Sequence, residues 1–134
     1  MNLNQVTVPS GDVARSITFY KKLGLKLIVE ALPRYARFEC PDGDATFSIH
    51  HVEKLPEGEG TIVYFEVDAL DEKVRELQGL HLHGDSTKFE LLPTDQSWLW
   101  REARLKDPDG NQIILYFAGD NRKNPPWRLD KGSE

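Results

Sequence analysis

The chain has 134 residues and a mass of 15.3 kDa, which fits one domain or two small fused modules. Its 17 Lys and Arg residues are outnumbered by 22 Asp and Glu residues, and the net charge is -5. Binding to a nucleic-acid backbone requires a clustered positive surface, so this charge balance argues against a nucleic-acid partner.

The cysteine count and the apolar pattern also limit the function. Cys40 is the only cysteine, which excludes an intrachain disulfide and a zinc site built from several thiolates. We interpret Cys40 as a small buried residue, because no basic residue adjoins it to stabilise a thiolate. The sequence has no signal-peptide pattern and no apolar run near the ~20 residues of a membrane span. We therefore expect a cytoplasmic protein with no membrane partner.

The first half of the sequence predicts one strand and one helix, followed by three strands. Asp12 is a suitable helix N-cap, an apolar stripe at helical spacing follows it, and Gly24 suits the helix end. Alternating or β-prone residues mark the strands, and the aperiodic segment 51–60 reads as a linker. The predicted strands cover residues 3–8, 25–30, 35–39 and 46–50.

The same order recurs after the linker. Asp68 is predicted to cap a helix with the apolar stripe Leu70, Val74 and Leu77, and Asp71 resembles the partner residue of a capping box. A loop over 79–87 follows this helix. The predicted strands of this half cover residues 61–67, 88–92, 98–106 and 112–117.

A shared turn supports an internal duplication. Residues 41–44 (PDGD) and 108–111 (PDGN) each precede the last strand of a half, and both have the composition of a hairpin turn. Each half is too small to bury both faces of its sheet, so the halves should pair. The predicted fold class is α+β, with two paired βαβββ modules forming a curved mixed sheet around an open cleft. Residues 1–120 form the single domain, with modules at 1–51 and 61–118 and a C-terminal tail at 121–134.

Three segments carry a family resemblance: residues 12–25 (DVARSITFYKKLGL), 65–68 (FEVD) and 107–113 (DPDGNQI). With the duplicated order, they resemble the vicinal oxygen chelate superfamily, which includes glyoxalases, bleomycin and fosfomycin resistance proteins and extradiol dioxygenases. The resemblance covers the chain nearly to Phe117 and implies the fold. It does not imply one activity, because this scaffold supports isomerisation, ring opening, epoxide opening and sequestration.

The resemblance implies four metal ligands in the metal-dependent members. The matching positions are Gln5, then Phe47 or Ser48 according to strand register, then Ile62 and Ile114. Isoleucine cannot ligate a metal, and one neutral amide is a weak donor. We therefore expect no metal site and no other cofactor. A divalent metal held at a rebuilt site of Gln5, His50 and Glu66 is the alternative.

Several side chains are candidates for the ligand-binding cleft. Trp98 and Trp100 share a strand face with Glu102, and two Trp side chains on an open sheet suggest a pocket or an interface. Glu102 is the candidate catalytic residue, because Ile114 replaces the carboxylate that serves as the base in this family. The predicted cleft residues are Gln5, Arg37, Ser48, His50, Ile62, Tyr64, Trp98, Trp100 and Ile114.

Other polar and aromatic residues have more than one interpretation. Arg37 and Glu39 share a face, either as a buried pair beside a polar ligand or as an exposed pair at a sheet edge. We expect the histidines of the segment 81–83 to lie in a solvated loop, and Glu66 to be solvated at the rim. Trp127 follows two prolines and should dock, either on the open face or on a neighbouring subunit.

These observations favour a small-molecule-binding protein of the glyoxalase/bleomycin-resistance type without the family's metal site. One alternative is a metal-dependent lyase or isomerase related to glyoxalase, or a dioxygenase relative, using a rebuilt site at Gln5. The other is a non-catalytic dimeric scaffold. The expected partners are a small-molecule ligand and a second copy of the chain, since symmetric homodimers are common.

Overall fold

The computed structural model describes residues 1–129 and contains two βαβββ modules. The α+β class and the paired modules predicted from the sequence are therefore confirmed. The strands form two separate four-stranded mixed sheets, with the orders β1-β4-β3-β2 and β5-β8-β7-β6. The elements are β1 (Gln5–Ser10), α1 (Val13–Leu23), β2 (Lys26–Ala31), β3 (Tyr35–Glu39), β4 (Thr46–His51), β5 (Ile62–Glu66), α2 (Leu70–Gln78), β6 (Phe89–Asp95), β7 (Arg101–Lys106), β8 (Gln112–Phe117) and a short 3-10 helix (Gly119–Asn121).

The register of the first sheet decides which side chains face away from helix α1. Strand β1 runs parallel to β4, with Gln5 opposite Thr46 and Thr7 opposite Ser48. Side chains alternate along a strand, so Ser48 shares a face with Gln5 while Phe47 points to the helix-covered core. Of the two positions left open by the sequence, Ser48 is therefore the one on the uncovered face.

The second sheet repeats this arrangement. Strand β5 runs parallel to β8, with Ile62 opposite Gln112 and Tyr64 opposite Ile114. The alternate residues Val63, Ile113 and Leu115 belong to the helix-covered core. Each module thus has one sheet face covered by its own helix and one uncovered face.

The amphipathic helices build one apolar core that both modules share. The buried cluster includes Val13, Ile17, Tyr20 and Leu23 of α1 together with Leu70, Val74 and Leu77 of α2, as the apolar stripes predict. Phe47 of the first module contacts Phe65 of the second, with ring centroids 5.9 Å apart. The continuous core explains why two modules, each too small alone, form a stable chain.

Polar residues in and next to the second turn (residues 108–111, PDGN) add hydrogen bonds between the modules. The Tyr20 hydroxyl donates to Asp107 Oδ2 at 2.6 Å, and Asn111 Nδ2 donates to the Pro9 carbonyl at 2.9 Å. Both turns join antiparallel strands, so the hairpin prediction is confirmed for each. The second turn also binds the modules together, which the sequence did not predict.

Several predicted boundaries are wrong, and strand β6 ends at Asp95, three residues later than expected. Strand β1 begins at Gln5, two residues later than expected, and β7 begins at Arg101, so Trp98 and Trp100 lie in the turn before the strand. The positive φ of Leu99 (69°) breaks the extended conformation there. Helix α2 begins after Ala69, and no side chain caps it.

Asp68 is therefore not the cap, and Asp71 is not part of a capping box. The Asp71 carboxylate instead accepts two hydrogen bonds from the Arg101 guanidinium, at 2.9 and 3.0 Å. This pairing lowers the pKa of Asp71 from its usual value, chiefly through the hydrogen bonds from Arg101.

Two further predictions concern membranes and the tail. Among residues 1–129, no helix has the length and apolar character needed to cross a membrane. The Trp127 side chain is 56% exposed, so the prediction that it docks on its own chain is wrong. Docking on a neighbouring subunit stays a prediction, and residues 130–134 of the predicted tail lie outside the described residues.

Candidate functional site

The uncovered face of the first module carries a connected set of hydrogen bonds. Gln5 Nε2 donates to Ser48 Oγ at 2.7 Å, and the Ser48 and Tyr35 hydroxyls are 2.6 Å apart. The Gln5 amide oxygen also accepts a hydrogen bond from the Thr46 hydroxyl. The register predicts this grouping, because β1 and β3 both pair with β4 and place alternate residues side by side.

Arg37 supplies the positive charge of this face. Its Nε donates to the Tyr35 hydroxyl at 2.9 Å, and its guanidinium carbon lies 5.5 Å from the centroid of the Tyr35 ring. Burial raises the pKa of Tyr35, but hydrogen bonds with Ser48 and Arg37 and the Arg37 charge outweigh it, and the net pKa is lowered. Arg37 is thus an exposed cation whose side chain is fixed on the sheet.

The structure agrees with neither of the two interpretations of Arg37 and Glu39. Both side chains are exposed, which excludes a buried pair. Strand β3 lies between β2 and β4, so the pair is not at a sheet edge either. Within residues 1–129, Arg37 and Glu39 form no ion pair with each other, and Arg37 bonds to Tyr35 instead.

Aromatic side chains dominate the uncovered face of the second module. Trp100 stacks on Tyr116 with ring centroids 4.7 Å apart, and Tyr64 meets both rings edge-on at 5.9 and 5.6 Å. Tyr116 and the neighbouring Ile114 are buried, whereas Tyr64 is 46% exposed and Trp98 is 39% exposed. We call Tyr64, Trp98, Trp100 and Tyr116 the aromatic face.

A buried carboxylate lies within the aromatic face. Glu102 is 1% exposed; its two oxygens accept hydrogen bonds from Trp98 Nε1 at 2.8 Å and from Arg104 Nη2 at 3.2 Å. The indole and guanidinium donors compensate the loss of hydration of this charge. Glu102, the candidate catalytic residue, orients the Trp98 ring through the hydrogen bond that it accepts from the indole.

The family's metal does not fit these residues. Of its four implied ligand positions, Ile62 and Ile114 have no donor atom, and Ser48 and Gln5 already bond to each other. Metal ligands of this family are normally carboxylate, imidazole or amide groups that converge on one point. Residues 1–129 contain no cluster of three or more His, Cys, Asp or Glu side chains suited to hold a metal ion.

The rebuilt site of Gln5, His50 and Glu66 is not brought together. Gln5 and His50 lie on the first sheet, and Glu66 ends strand β5 of the second. Glu66 Oε2 accepts hydrogen bonds from the backbone N–H groups of Ala118 and Gly119, at 2.8 and 2.9 Å. Glu66 is thus only partly solvated, with 31% of its side chain exposed, and it anchors the chain that leaves strand β8.

The nine predicted cleft residues divide between the two uncovered faces. Gln5, Arg37, Ser48 and His50 belong to the first, and Ile62, Tyr64, Trp98, Trp100 and Ile114 belong to the second. Tyr35 and Tyr116 were missed, although each is two residues from a predicted residue on the same strand, so alternation alone could have found them. Among residues 1–129, no hydrogen bond, ion pair or ring contact joins the two faces.

Two other candidates have structural roles. Cys40 is partly buried against the core and not fully buried as predicted, and this burial raises the pKa of its thiol. The histidine loop is not solvated throughout as predicted, because Leu82 is buried and His83 is hydrogen-bonded at both ring nitrogens.

Known proteins are similar to this chain in sequence or in fold. A probable trivalent organoarsenical cleaving enzyme of Bacillus subtilis is 23% identical over 110 residues, covering 82% of this chain and 75% of that protein. A solved glyoxalase/bleomycin resistance protein/dioxygenase from Nocardioides has a TM-score of 0.70 at 21% identity, covering 88% of this chain and 83% of that one. A bleomycin-binding protein solved in complex with bleomycin has a TM-score of 0.68 at 20% identity, covering 87% and 98%.

The sequence match extends over most of the chain. A family profile described as the Glyoxalase/Bleomycin resistance protein/Dioxygenase superfamily matches residues 2–115, which include both modules up to strand β8. The solved structures, at identities below one quarter, support the fold alone. The chain therefore belongs to the glyoxalase/bleomycin resistance protein/dioxygenase superfamily.

Proposed function

We propose that this protein binds a small polar aromatic compound and does so without the family's metal ion. The aromatic face around the buried Glu102 carboxylate carries this proposal. Its rings lie beside Ile62 and Ile114, the two positions where metal-dependent relatives are expected to hold ligands. Apolar side chains have replaced donor atoms there, which converts a metal site into a surface for organic groups.

The exposure of Tyr64 and Trp98 favours ligand stacking. Both rings keep a large accessible surface although Tyr64 contacts Trp100 and Trp98 is hydrogen-bonded to Glu102. Exposed aromatic groups next to a small number of fixed polar groups are typical of small-molecule sites. Trp98 is oriented by its hydrogen bond to Glu102, so little conformational entropy would be lost when a ligand stacks on it.

The charges near the aromatic face suggest that the ligand also has polar groups. Arg104 is partly exposed and donates to Glu102, leaving other guanidinium N–H groups for a ligand acceptor. A bleomycin-binding protein of the same fold has been solved in complex with bleomycin, which supports a proposal of small-molecule binding. A metal-dependent lyase, isomerase or dioxygenase would need ligands at positions other than Ile62 and Ile114, whose side chains have no donor atom.

The test is a binding screen on protein purified without a histidine tag. Bleomycin and a panel of aromatic acids, amines and amides are titrated while tryptophan fluorescence and the thermal midpoint Tm are followed. A ligand at about 100 times its Kd adds about 2.7 kcal/mol to the free energy of unfolding, which raises the Tm by several degrees. We expect a saturable signal that excess chelator leaves unchanged.

Trp98→Ala and Trp127→Ala form a matched pair for this screen. Both indoles are exposed, but only Trp98 belongs to the aromatic face. We expect Trp98→Ala to weaken binding strongly and Trp127→Ala to leave it unchanged. Stoichiometric metal with a chelator-sensitive Tm would contradict the proposal and favour the metal-dependent enzyme, and no response to any compound would favour the scaffold.

The proposal includes a homodimer in the cytoplasm. Exposed apolar side chains on the uncovered face of the second sheet, among them Ile62 and Tyr64, are a surface that a second copy of the chain would bury. A second copy would also supply a wall opposite the aromatic face, which is open in one chain.

A further inference from the structure

A groove on the outer side of helix α1 lies away from both uncovered sheet faces. It has a volume of about 460 Å³ and lies between α1 and the loop at 81–84, with Pro108 at one side. This volume is within the range of small-molecule sites. The groove is independent of the function proposed above, because neither the aromatic face nor the Gln5 network contributes to it.

The groove has a positive edge in a chain with a net charge of -5. Arg15 and Lys22 line it, and none of its lining residues is Asp or Glu. Arg15 binds Asp109 Oδ1 through one nitrogen at 3.0 Å, which leaves its other N–H groups available. Lys22 Nζ bonds only weakly to the His81 carbonyl at 3.4 Å and has no ion-pair partner among residues 1–129.

The floor and the far wall of the groove are apolar or aromatic and are held in place. Phe19 and Leu82 are buried, and the Phe19 ring contacts the His83 ring with centroids 5.6 Å apart. His83 Nδ1 accepts from the Lys88 N–H at 2.9 Å, so the His83 Nε2–H donates to the Lys106 carbonyl at 2.8 Å. Because both nitrogens are bonded, His83 offers the groove a fixed neutral ring.

From this combination we infer that the groove binds a small aromatic anion, with its carboxylate or phosphate near Lys22 and Arg15 and its ring against Phe19 and Leu82. The two cations attract the charged group, and the apolar floor removes the ring from water. The hydrogen bonds that hold the loop mean that the site exists before the ligand arrives.

The test is an NMR titration of the isotope-labelled full chain at constant ionic strength. The probes are phenyl phosphate, benzoate and the neutral benzyl alcohol. We expect saturable shifts of the Phe19, Leu82 and Gly84 amides with at least one anion and none with benzyl alcohol. The anion with the lower Kd identifies the preferred charged group, phosphate or carboxylate.

Lys22→Gln and Lys21→Gln provide the matched comparison. Both residues are exposed on α1, but only Lys22 lines the groove. Removing Lys22 should raise the Kd about fivefold, whereas removing Lys21 should leave it nearly unchanged. Absence of shifts at the groove, shifts confined to the Tyr64 and Trp100 amides, or equal weakening by both variants would overturn the inference.

Discussion

Asp107 and Asp109 occupy the same turn and have opposite titration behaviour. Burial raises the pKa of Asp107 despite hydrogen bonds from Tyr20 and Asn111. Burial also acts on Asp109, but the hydroxyls of Ser10 and Ser16, the Gly11 N–H and the Arg15 charge outweigh it and lower its pKa. Ionisation of Asp109 therefore stabilises the folded state. Ionisation of Asp107 destabilises it, so the contribution of Asp107 to stability is lost as pH rises through its folded pKa.

Asp109→Asn tests the charge at this interface. The Asp109 side chain has no exposed surface and bonds to Gly11, Arg15 and Ser16, so the variant should lose about 1–3 kcal/mol of unfolding free energy near neutral pH. Because the pKa of Asp109 is lowered on folding, its carboxylate stabilises the folded state at pH values above the unfolded pKa of about 3.9. This contribution is lost as pH falls through the folded pKa. The stability difference, measured by urea unfolding across pH, should therefore shrink below about pH 4.

Asp42→Asn is the control for Asp109→Asn. Asp42 occupies the equivalent position of the first PDG turn, but its side chain is exposed. Its substitution should change stability by less than about 0.5 kcal/mol. If Asp109→Asn lowers the unfolding free energy by the same amount at every pH, the Asp109 charge does not contribute, and the interaction depends on the shape of the side chain alone.

At the scale of elements, the two helices begin differently although the modules are duplicates. Asp12 accepts a hydrogen bond from the Arg15 N–H at 3.1 Å and caps α1. Helix α2 has no side-chain cap. Its N-terminus is stabilised instead by the negative charges of Asp71 and Glu72 in the first turn, which interact favourably with the helix dipole. The second helix depends more on packing against its sheet and on the ion pair between Asp71 and Arg101.

The pair Asp12→Ala and Asp68→Ala measures this difference. Asp12→Ala removes a cap and should lower the unfolding free energy by about 1 kcal/mol. Asp68→Ala removes no cap and should change it by less than about 0.5 kcal/mol. Urea midpoints at equal m-values report both effects, and equal losses in the two variants would contradict the cap assignment.

At the scale of the whole molecule, the shared core places the helices toward the module interface and leaves two uncovered sheet faces. The first face is polar, with Gln5, Ser48, Tyr35 and Arg37 joined by hydrogen bonds. The second face is aromatic and partly exposed. Within residues 1–129 no hydrogen bond, ion pair or ring contact joins the two faces, and the proposed second copy of the chain would cover the second one.

Ile62→Arg tests this assembly. We expect sedimentation to give twice the 15.3 kDa chain mass for the unmodified protein and a concentration-dependent shift toward monomer for the variant. The control is Leu80→Arg, because Leu80 is as exposed as Ile62 (39% and 38%) but lies after helix α2. A monomer at all concentrations, or equal disruption by both variants, would contradict a dimer through the second sheet.

Local patterns in the sequence determined the elements and the duplication. The spacing of Val13, Ile17 and Tyr20 defined the buried face of α1, and alternation placed Tyr64 on the same face as Ile62, a position that the resemblance indicated. These patterns work because helical and strand periodicities depend on the backbone alone. The expectation that the family's metal site is absent also rests on residue type, because the side chain of Ile114 has no donor atom.

Only the tertiary structure decided how distant residues are paired. Glu66 became an anchor for Ala118 and Gly119, Asp71 bound Arg101 instead of capping a helix, and Trp127 stayed exposed. These outcomes depend on strand register and on the packing of the modules, which bring together residues 30 or more positions apart. The sequence thus determined that each module has an uncovered face and named part of its residues, whereas strand register and packing decided which side chains bond there, such as Tyr35 with Ser48 and Trp100 with Tyr116.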